Sequence, residues 1–399
     1  MARFAGILAV LAAVVVVASA AGAPANPSLT LMPLAKADLG PTAAALPLDP
    51  YSGVQTNAAA AGNATGNVTA AQLGRLGRLT GYAVDYDDAA GHALDAGHGL
   101  LDVQTEVDRY RSAAAARAGV AFWRRDDANI STMRSAGIAV SERFFAPAGM
   151  GASSFGMEAS LTVPGKHPIY GIDIYFSRGA LVGEVTVSAA DSASRRAYAE
   201  GLAAKLARRI DRVVGGRSVG APVALPPKVT AGPPANGPDL SKLAVTASDL
   251  GPVSIVKKQG YRVDLDDKPL SEYQRVFTPA GLYMSLEEQV ALYQSATKAS
   301  YTFASTTAGL GSKALAAQTG IKISNLRRVD VHAGDEGSAF VIDFTEQGVP
   351  IRMAIVAVRI GATVTTLWAA DRATMTISDA DVQALAKLAA KRVTSGLDA

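Results

Sequence analysis

Gly81-Tyr82-Ala83-Val84-Asp85-Tyr86-Asp87-Asp88 returns in the second half of the chain as Gly260-Tyr261-Arg262-Val263-Asp264-Leu265-Asp266-Asp267. In the first occurrence Tyr82, Val84 and Tyr86 sit at every second position, the period of a half-buried strand. An echo of this kind predicts two copies of one domain in tandem. Further pairs follow in the same order. Asp38-Leu39-Gly40-Pro41 answers Asp249-Leu250-Gly251-Pro252, Val107 to Ala113 answers Val290 to Ala296, Gly137 to Ser141 answers Gly320 to Ser324, and Arg178 to Asp191 answers Arg359 to Asp371. The expected fold is α+β: two tandem α/β/α sandwich repeats, each a mostly antiparallel sheet covered by two helices.

The boundaries follow from composition. Residues 1–23 read as a signal peptide, with Arg3 ahead of an apolar run from Phe4 and small residues at Ala18-Ser19-Ala20 and Ala21-Gly22-Ala23. The rival reading is an uncleaved membrane anchor, since Phe4 to Ala23 has about the ~20 residues a span needs. Repeat 1 occupies 28–213, with a flexible insertion expected near 48–71. A Pro- and Gly-rich linker takes 214–239, and repeat 2 takes 240–399. The mature protein is expected in the cell wall or secreted, outside the cytoplasm.

Within the repeats, Leu282 to Phe303 reads as helical, with Leu286, Val290, Tyr293 and Ala296 on one face. Ile355 to Val358 and Thr363 to Thr366 read as a hairpin turning at Gly361. The closing helix of repeat 2 starts at the N-cap Ser378, and Val382, Leu385, Ala386, Ala389 and Val393 form its apolar stripe. Tyr198, Leu202, Leu206, Ile210 and Val213 repeat that design in the first copy.

Composition excludes several chemistries. The chain has no cysteine, so disulfides, thiolate zinc sites and thiol nucleophiles are ruled out. Net charge is +3, with Lys and Arg interleaved among Asp and Glu, so no nucleic-acid partner is expected. Asp85, Asp87 and Asp88, with Asp264, Asp266 and Asp267, lack the glycine and distal carboxylate of a calcium loop and read as strand ends running into turns. His92, Asp95 and His98 lack a fourth zinc ligand. Gly216-Arg217-Ser218-Val219-Gly220 matches a nucleophile elbow in letters only, because it follows a helix rather than a strand. No metal, cofactor or catalytic set is expected.

Two groups remain as candidate sites. Tyr82, Tyr110, Tyr261, Tyr293 and Phe303, accompanied by Phe122, Trp123 and Tyr301, recur at roughly matched places. They read chiefly as core, with an apolar ligand groove as the alternative. Asp335 and Glu336 are adjacent carboxylates, expected to diverge if they lie on a strand. The functional expectation is a non-enzymatic binding or sensing protein whose partner is a lipid, an envelope polymer or another protein, with membrane contact only through an uncleaved signal sequence. An envelope-directed hydrolase using the repeat 2 carboxylates and a purely structural component are the alternatives.

Asp249-Leu250-Gly251-Pro252, Gly334-Asp335-Glu336 with Ala339-Phe340, and Val358 to Val364 also carry a resemblance. Their order is similar to that in actinobacterial secreted domains of the PknH-type extracellular sensor and LpqN-like kind. The resemblance implies a PsbP-like sandwich and an extracytoplasmic setting. It departs in repeat 1, where Gly149-Met150-Gly151-Ala152 stands at the Gly-Asp-Glu position, and in the absence of the cysteines normal to the sensor domain.

Overall fold

Alternation of apolar and polar residues over successive segments makes strands that can bury one face each, and such strands must pair. The computed structural model describes residues 27–398 apart from 63–67, 128–138, 164, 192–194, 264–267, 311–322, 347 and 373–375. The expected signal peptide, Asp264, Asp266 and Asp267, and Gly137 and Gly320 therefore lie outside the described residues. The described chain forms two compact units that divide between Lys228 and Val229.

In repeat 1 the strands are β1 (Gly53–Gln55), β2 (Arg78–Asp87), β3 (Leu100–Tyr110), β4 (Ala139–Phe145), β5 (Ser154–Thr162), β6 (Ile169–Arg178) and β7 (Leu181–Ala189). They form one antiparallel sheet in the order β1-β2-β3-β7-β6-β5-β4. Repeat 2 has β8 (Val256–Arg262), β9 (Ser271–Phe277), β10 (Ser285–Leu292), β11 (Ile323–Val329), β12 (Glu336–Glu346), β13 (Val349–Ile360) and β14 (Thr363–Arg372). Their order, β8-β9-β10-β14-β13-β12-β11, is the same. The α+β tandem reading holds.

The helices of repeat 1 are α1 (Lys36–Leu39), α2 (Asn57–Gly62), α3 (Ala70–Leu76), α4 (His92–Ala96), α5 (Ala113–Asp127) and α6 (Arg196–Val214), besides a short turn at Pro27–Thr30. In repeat 2, beside the turn Leu240–Leu243, they are α7 (Ala247–Leu250), α8 (Ala296–Leu310) and α9 (Asp379–Leu397). One sheet face packs on the closing helix. In repeat 1, Val103, Val107, Ile174 and Val185 meet Leu202, Leu206 and Ile210. In repeat 2, Val341, Val356 and Leu367 meet Val382, Leu385, Ala386 and Ala389. The opposite faces bury Tyr110, Val120, Trp123, Phe155 and Tyr175 in repeat 1, and Tyr293, Ala299, Phe303 and Val364 in repeat 2. Each large aliphatic side chain so buried contributes roughly 1.5–3 kcal/mol.

The closing helix of repeat 2 matches expectation residue by residue. Ser378 Oγ accepts from the Asp381 N–H at 3.3 Å, and all five stripe residues are buried. The β13–β14 hairpin also turns where expected, with Ile360 opposite Thr363.

Three expectations are corrected. First, the opening echo does not superpose. Tyr82 pairs with Val107, and Tyr273 pairs with Val290, so the counterpart of Tyr82 is Tyr273. Tyr261 lies on the edge strand β8 opposite Tyr273, where repeat 1 has Val54 opposite Tyr82. The two Gly-Tyr elements occupy neighbouring, not equivalent, strands. Second, 48–71 contains β1, α2 and the cap of α3, in which Thr69 Oγ1 accepts from the Gln72 N–H at 3.2 Å. The extra residues of repeat 1 therefore lie ahead of its first strand and, in larger part, between the first and second strands. Third, Leu286 and Val290 lie on strand β10, and the helix starts at Ala296. A four-residue spacing is even, so it fits a strand as well as a helix. Glu288 lies between them on the same face and is fully buried, which hides the alternation.

Candidate functional site

The repeated Asp-Leu-Gly-Pro is a cap and turn that docks on the closing helix. Asp38 Oδ2 accepts from the Ala35 N–H at 2.9 Å, and Asp249 Oδ2 from the Thr246 N–H at 2.7 Å. Gly40 and Gly251 then take φ of 75° and 106°, a region that favours glycine. In both copies the aspartate meets an arginine of the closing helix. Arg209 Nη1 stands 3.3 Å from Asp38 Oδ2. Arg392 grips both oxygens of Asp249, Nε to Oδ2 at 2.7 Å and Nη2 to Oδ1 at 2.6 Å. Burial raises the Asp249 carboxyl, but the Thr246 and Arg392 hydrogen bonds outweigh it and hold the group below its ordinary range. The segment ahead of each turn is tied to the third strand of its repeat at matching positions: Leu34 N–H donates to Thr105 Oγ1 at 3.1 Å, and Val245 N–H to Glu288 Oε2 at 2.7 Å.

Repeat 1 adds a pocket beside this latch. At the end of α6, Gly216 takes φ of 68°, its N–H bonds the Val213 carbonyl at 3.1 Å, and the Arg217 N–H bonds the Arg212 carbonyl at 2.8 Å. This pair of bonds is a Schellman reversal, and it turns residues 218–220 back along the helix. The open pocket between them, about 450 Å³, is lined by Leu34, Asp38, Lys205, Arg208, Arg209, Arg212 and the Ser218-Val219-Gly220 stretch. Four of the lining side chains are cations and one is an acid. Arg209 is committed to Asp38 and to the Leu31 carbonyl, the latter at 2.7 Å. Lys205 donates to the Asp38 carbonyl, and Arg212 Nη2 to the Ser218 carbonyl at 2.6 Å. Neither bond neutralises the cation. Arg208 is exposed and has no hydrogen-bond or ion-pair partner among the described residues. A pocket with uncompensated guanidinium groups is suited to an anion, because the planar fork matches carboxylate and phosphate oxygens.

Sequence reading placed Ser218 in a linker and passed over the cations. The signal was available: Lys205, Arg208 and Arg212 recur at helical spacing, whereas repeat 2 carries Leu388, Lys391 and Ser395 at the matching places.

The aromatic candidates do not converge. Tyr82 and Tyr110 are buried on opposite faces of their sheet, Tyr82 against α6 and Tyr110 against α5. A side chain at Gly119 would meet the Tyr110 ring at 2.5 Å, so α5 lies directly on it. Tyr293 is buried with Phe303 of α8 in one cluster. Tyr261 is partly exposed, with its ring edge-on to Tyr273 at 5.2 Å and its hydroxyl donating to Asp239 at 2.7 Å. Phe122 and Trp123 pack edge-on at 5.3 Å.

Asp335 and Glu336 converge where divergence was expected. Asp335 precedes β12, so strand alternation does not separate the two. Asp335 Oδ2 accepts from Arg359 Nη1 at 3.1 Å and the Gly361 N–H at 2.8 Å. Glu336 accepts from Ser300 and, at 3.4 Å, from Arg359 Nη2. Together they fix the β13–β14 turn. His92, Asp95 and Asp88 form a helix start, in which Asp88 Oδ2 accepts from the Ala93 N–H at 2.6 Å and Oδ1 stands 3.1 Å from His92. Among the described residues no cluster of three metal-ligating side chains occurs.

No protein-family profile matches the chain, and no curated protein matches it. Among solved structures it is similar to the extracellular domain of PknH from Mycobacterium tuberculosis. The identity is 12%, the match covers 47% of this chain and 97% of that one, and the TM-score is 0.32. The di-domain ARO/CYC StfQ from the steffimycin biosynthetic pathway matches at 7% identity over 82% of this chain and 92% of that one, with a TM-score of 0.15. Both are weak structural resemblances.

Proposed function

We propose that the protein is an exported binding protein that takes an anionic ligand in the basic pocket of repeat 1. The observation that supports the reading is the set of cations along α6: Lys205 and Arg212 bonded to carbonyl groups, and Arg208 without a partner. A volume near 450 Å³ falls within the ~300–1,000 Å³ of small-ligand sites. Export rests on the Arg3-led apolar run and its small-residue cleavage positions. An anionic group of the cell envelope fits this combination better than a lipid tail, because Leu34 and Val219 are the only large apolar side chains of the lining.

Calorimetric titration of the full chain with inorganic phosphate and with sulfate tests the reading. Binding is expected, and Arg208→Gln is expected to weaken it by about tenfold or more, the worth of a hydrogen bond to a charged group. No binding of either anion, or an affinity indifferent to Arg208, would contradict it.

A further inference from the structure

We infer that the ligand is a linear oligoanion of the phosphate type, with several charges strung along α6, rather than a single compact anion. The inference rests on the anion-binding reading and extends it to the shape of the ligand.

Lys205, Arg208 and Arg212 are three and four residues apart, so they lie on one face of the helix. At 1.5 Å rise per residue the row is about 10 Å long. Like charges at these spacings repel one another. The nearby acids are occupied elsewhere: Asp38 holds Arg209, and Asp211 stands 3.8 Å from Arg178. The helix dipole accounts for Arg212, which lies in the last turn, but not for Lys205 or Arg208 further up.

The ends of the row are anchored on different walls. Lys205 is held at the Asp38 carbonyl, and Arg212 at the Ser218 carbonyl. Arg208 stands between them. A chain of anionic groups can meet all three cations with Lys205 left on the Asp38 carbonyl and Arg212 on the Ser218 carbonyl, whereas one compact anion meets both ends only by drawing those long side chains off their anchors.

Repeat 2 shows that the fold does not require the row. Its closing helix keeps the latch arginine, Arg392, but has Leu388 and Ser395 at the positions of Lys205 and Arg212. Leu388 packs against the core there.

The test compares orthophosphate, tripolyphosphate and a glycerol phosphate trimer as ligands of the full chain at fixed ionic strength. At least a tenfold gain over orthophosphate is expected for one or both linear ligands, and the one that gains more distinguishes adjacent charges from charges spaced along a diester chain. The double variant Lys205→Leu/Arg212→Ser imports the repeat 2 residues. It should lose most of the gain, so that orthophosphate and both linear ligands bind the variant with similar affinity, with an unchanged melting temperature as the control for folding. If a variant melts early, Lys205→Gln and Arg212→Gln separately carry the same expectation at smaller size. Equal affinity for orthophosphate and both linear ligands would overturn the inference and leave the anion site standing. Failure of all three to bind would overturn both.

Discussion

The two repeats share a strand order and a latch, but repeat 2 buries a carboxylate on the closing-helix face of its sheet where repeat 1 has Thr105. In repeat 1, Arg78 lies on the α5 side and is 1% exposed. It bonds Asp108 Oδ2 at 2.7 Å and Oδ1 at 2.5 Å, Glu106 Oε1 at 3.0 Å, Asn57 Oδ1 at 3.0 Å and the Gln55 carbonyl at 3.3 Å. In repeat 2 the positions of Asp108 and Glu106 are Ala291 and Gln289, Glu272 and Glu287 are buried on the α8 side, and the carboxylate buried between β9 and β14 on the α9 side is Glu288. It holds the Val245 N–H, while Arg275 Nη1 holds the Val245 carbonyl at 2.6 Å. Repeat 1 does the corresponding work with Thr105, and has Val84 where Arg275 stands. One topology therefore tolerates either solution. Buried charges in these sheets tie a particular connection in place: β1 and the start of α2 in repeat 1, the segment before α7 in repeat 2.

This contrast can be broken from either side. The largest effect is expected from Arg78→Met, which leaves Asp108 and Glu106 buried without their cation. Removing one partner of such a cluster costs roughly 3–5 kcal/mol. Amide hydrogen exchange should show faster opening of β2 and β3 with β9 and β10 unchanged. Uniform loosening of both sheets would deny that the cluster belongs to repeat 1 alone.

The next effect is one of pH. Burial pushes the Glu288 carboxyl up from 4.5 to about 7, against the Val245 and Thr365 hydrogen bonds that favour its charged form. The folded state therefore holds a proton that the unfolded chain has lost between about pH 4.5 and pH 7. The stability this contributes is fully present below pH 4.5 and is lost as pH rises through 7. Its size is up to about 3 kcal/mol, at 1.36 kcal/mol per unit. Glu288→Gln should flatten that part of the stability profile, read by denaturant unfolding across the window, and an unchanged slope would remove Glu288 as its source. The smallest expected effect is at the latch. Arg392→Met should destabilise repeat 2 by about 1 kcal/mol, and Arg209→Met should cost its Asp38 pair less, since Arg392 is bidentate and Arg209 meets Asp38 through one contact. Hydrogen exchange of α1 and α7 measures both, and a larger loss at α1 would reverse the ranking.

Legibility in the sequence followed the kind of physics involved. The α9 stripe was readable because five apolar residues at helical spacing follow a serine cap, and no competing period fits them. The latch was readable as a repeated motif because the positive φ at Gly40 and Gly251 constrains the residue type. The opening echo misled because a Gly-Tyr strand start is common chemistry, and only the pairing of Tyr82 with Val107 and of Tyr273 with Val290 shows which strands correspond. Glu288 disguised β10, since a carboxylate on a core face contradicts the alternation that identifies strands. The basic pocket was hidden for another reason. Cations on a helix surface read as solvated, and the return of residues 218–220 over them depends on the reversal at Gly216.

The most direct test of the claim that repeat 1 carries the working site is phosphate titration of the full chain followed through the side-chain signals of ¹⁵N-labelled arginine. Signals of Arg208 and Arg212 should shift together and saturate, while that of Arg392 in the matching latch of repeat 2 stays in place. Equal movement of Arg392, or no movement at Arg208, would contradict the account.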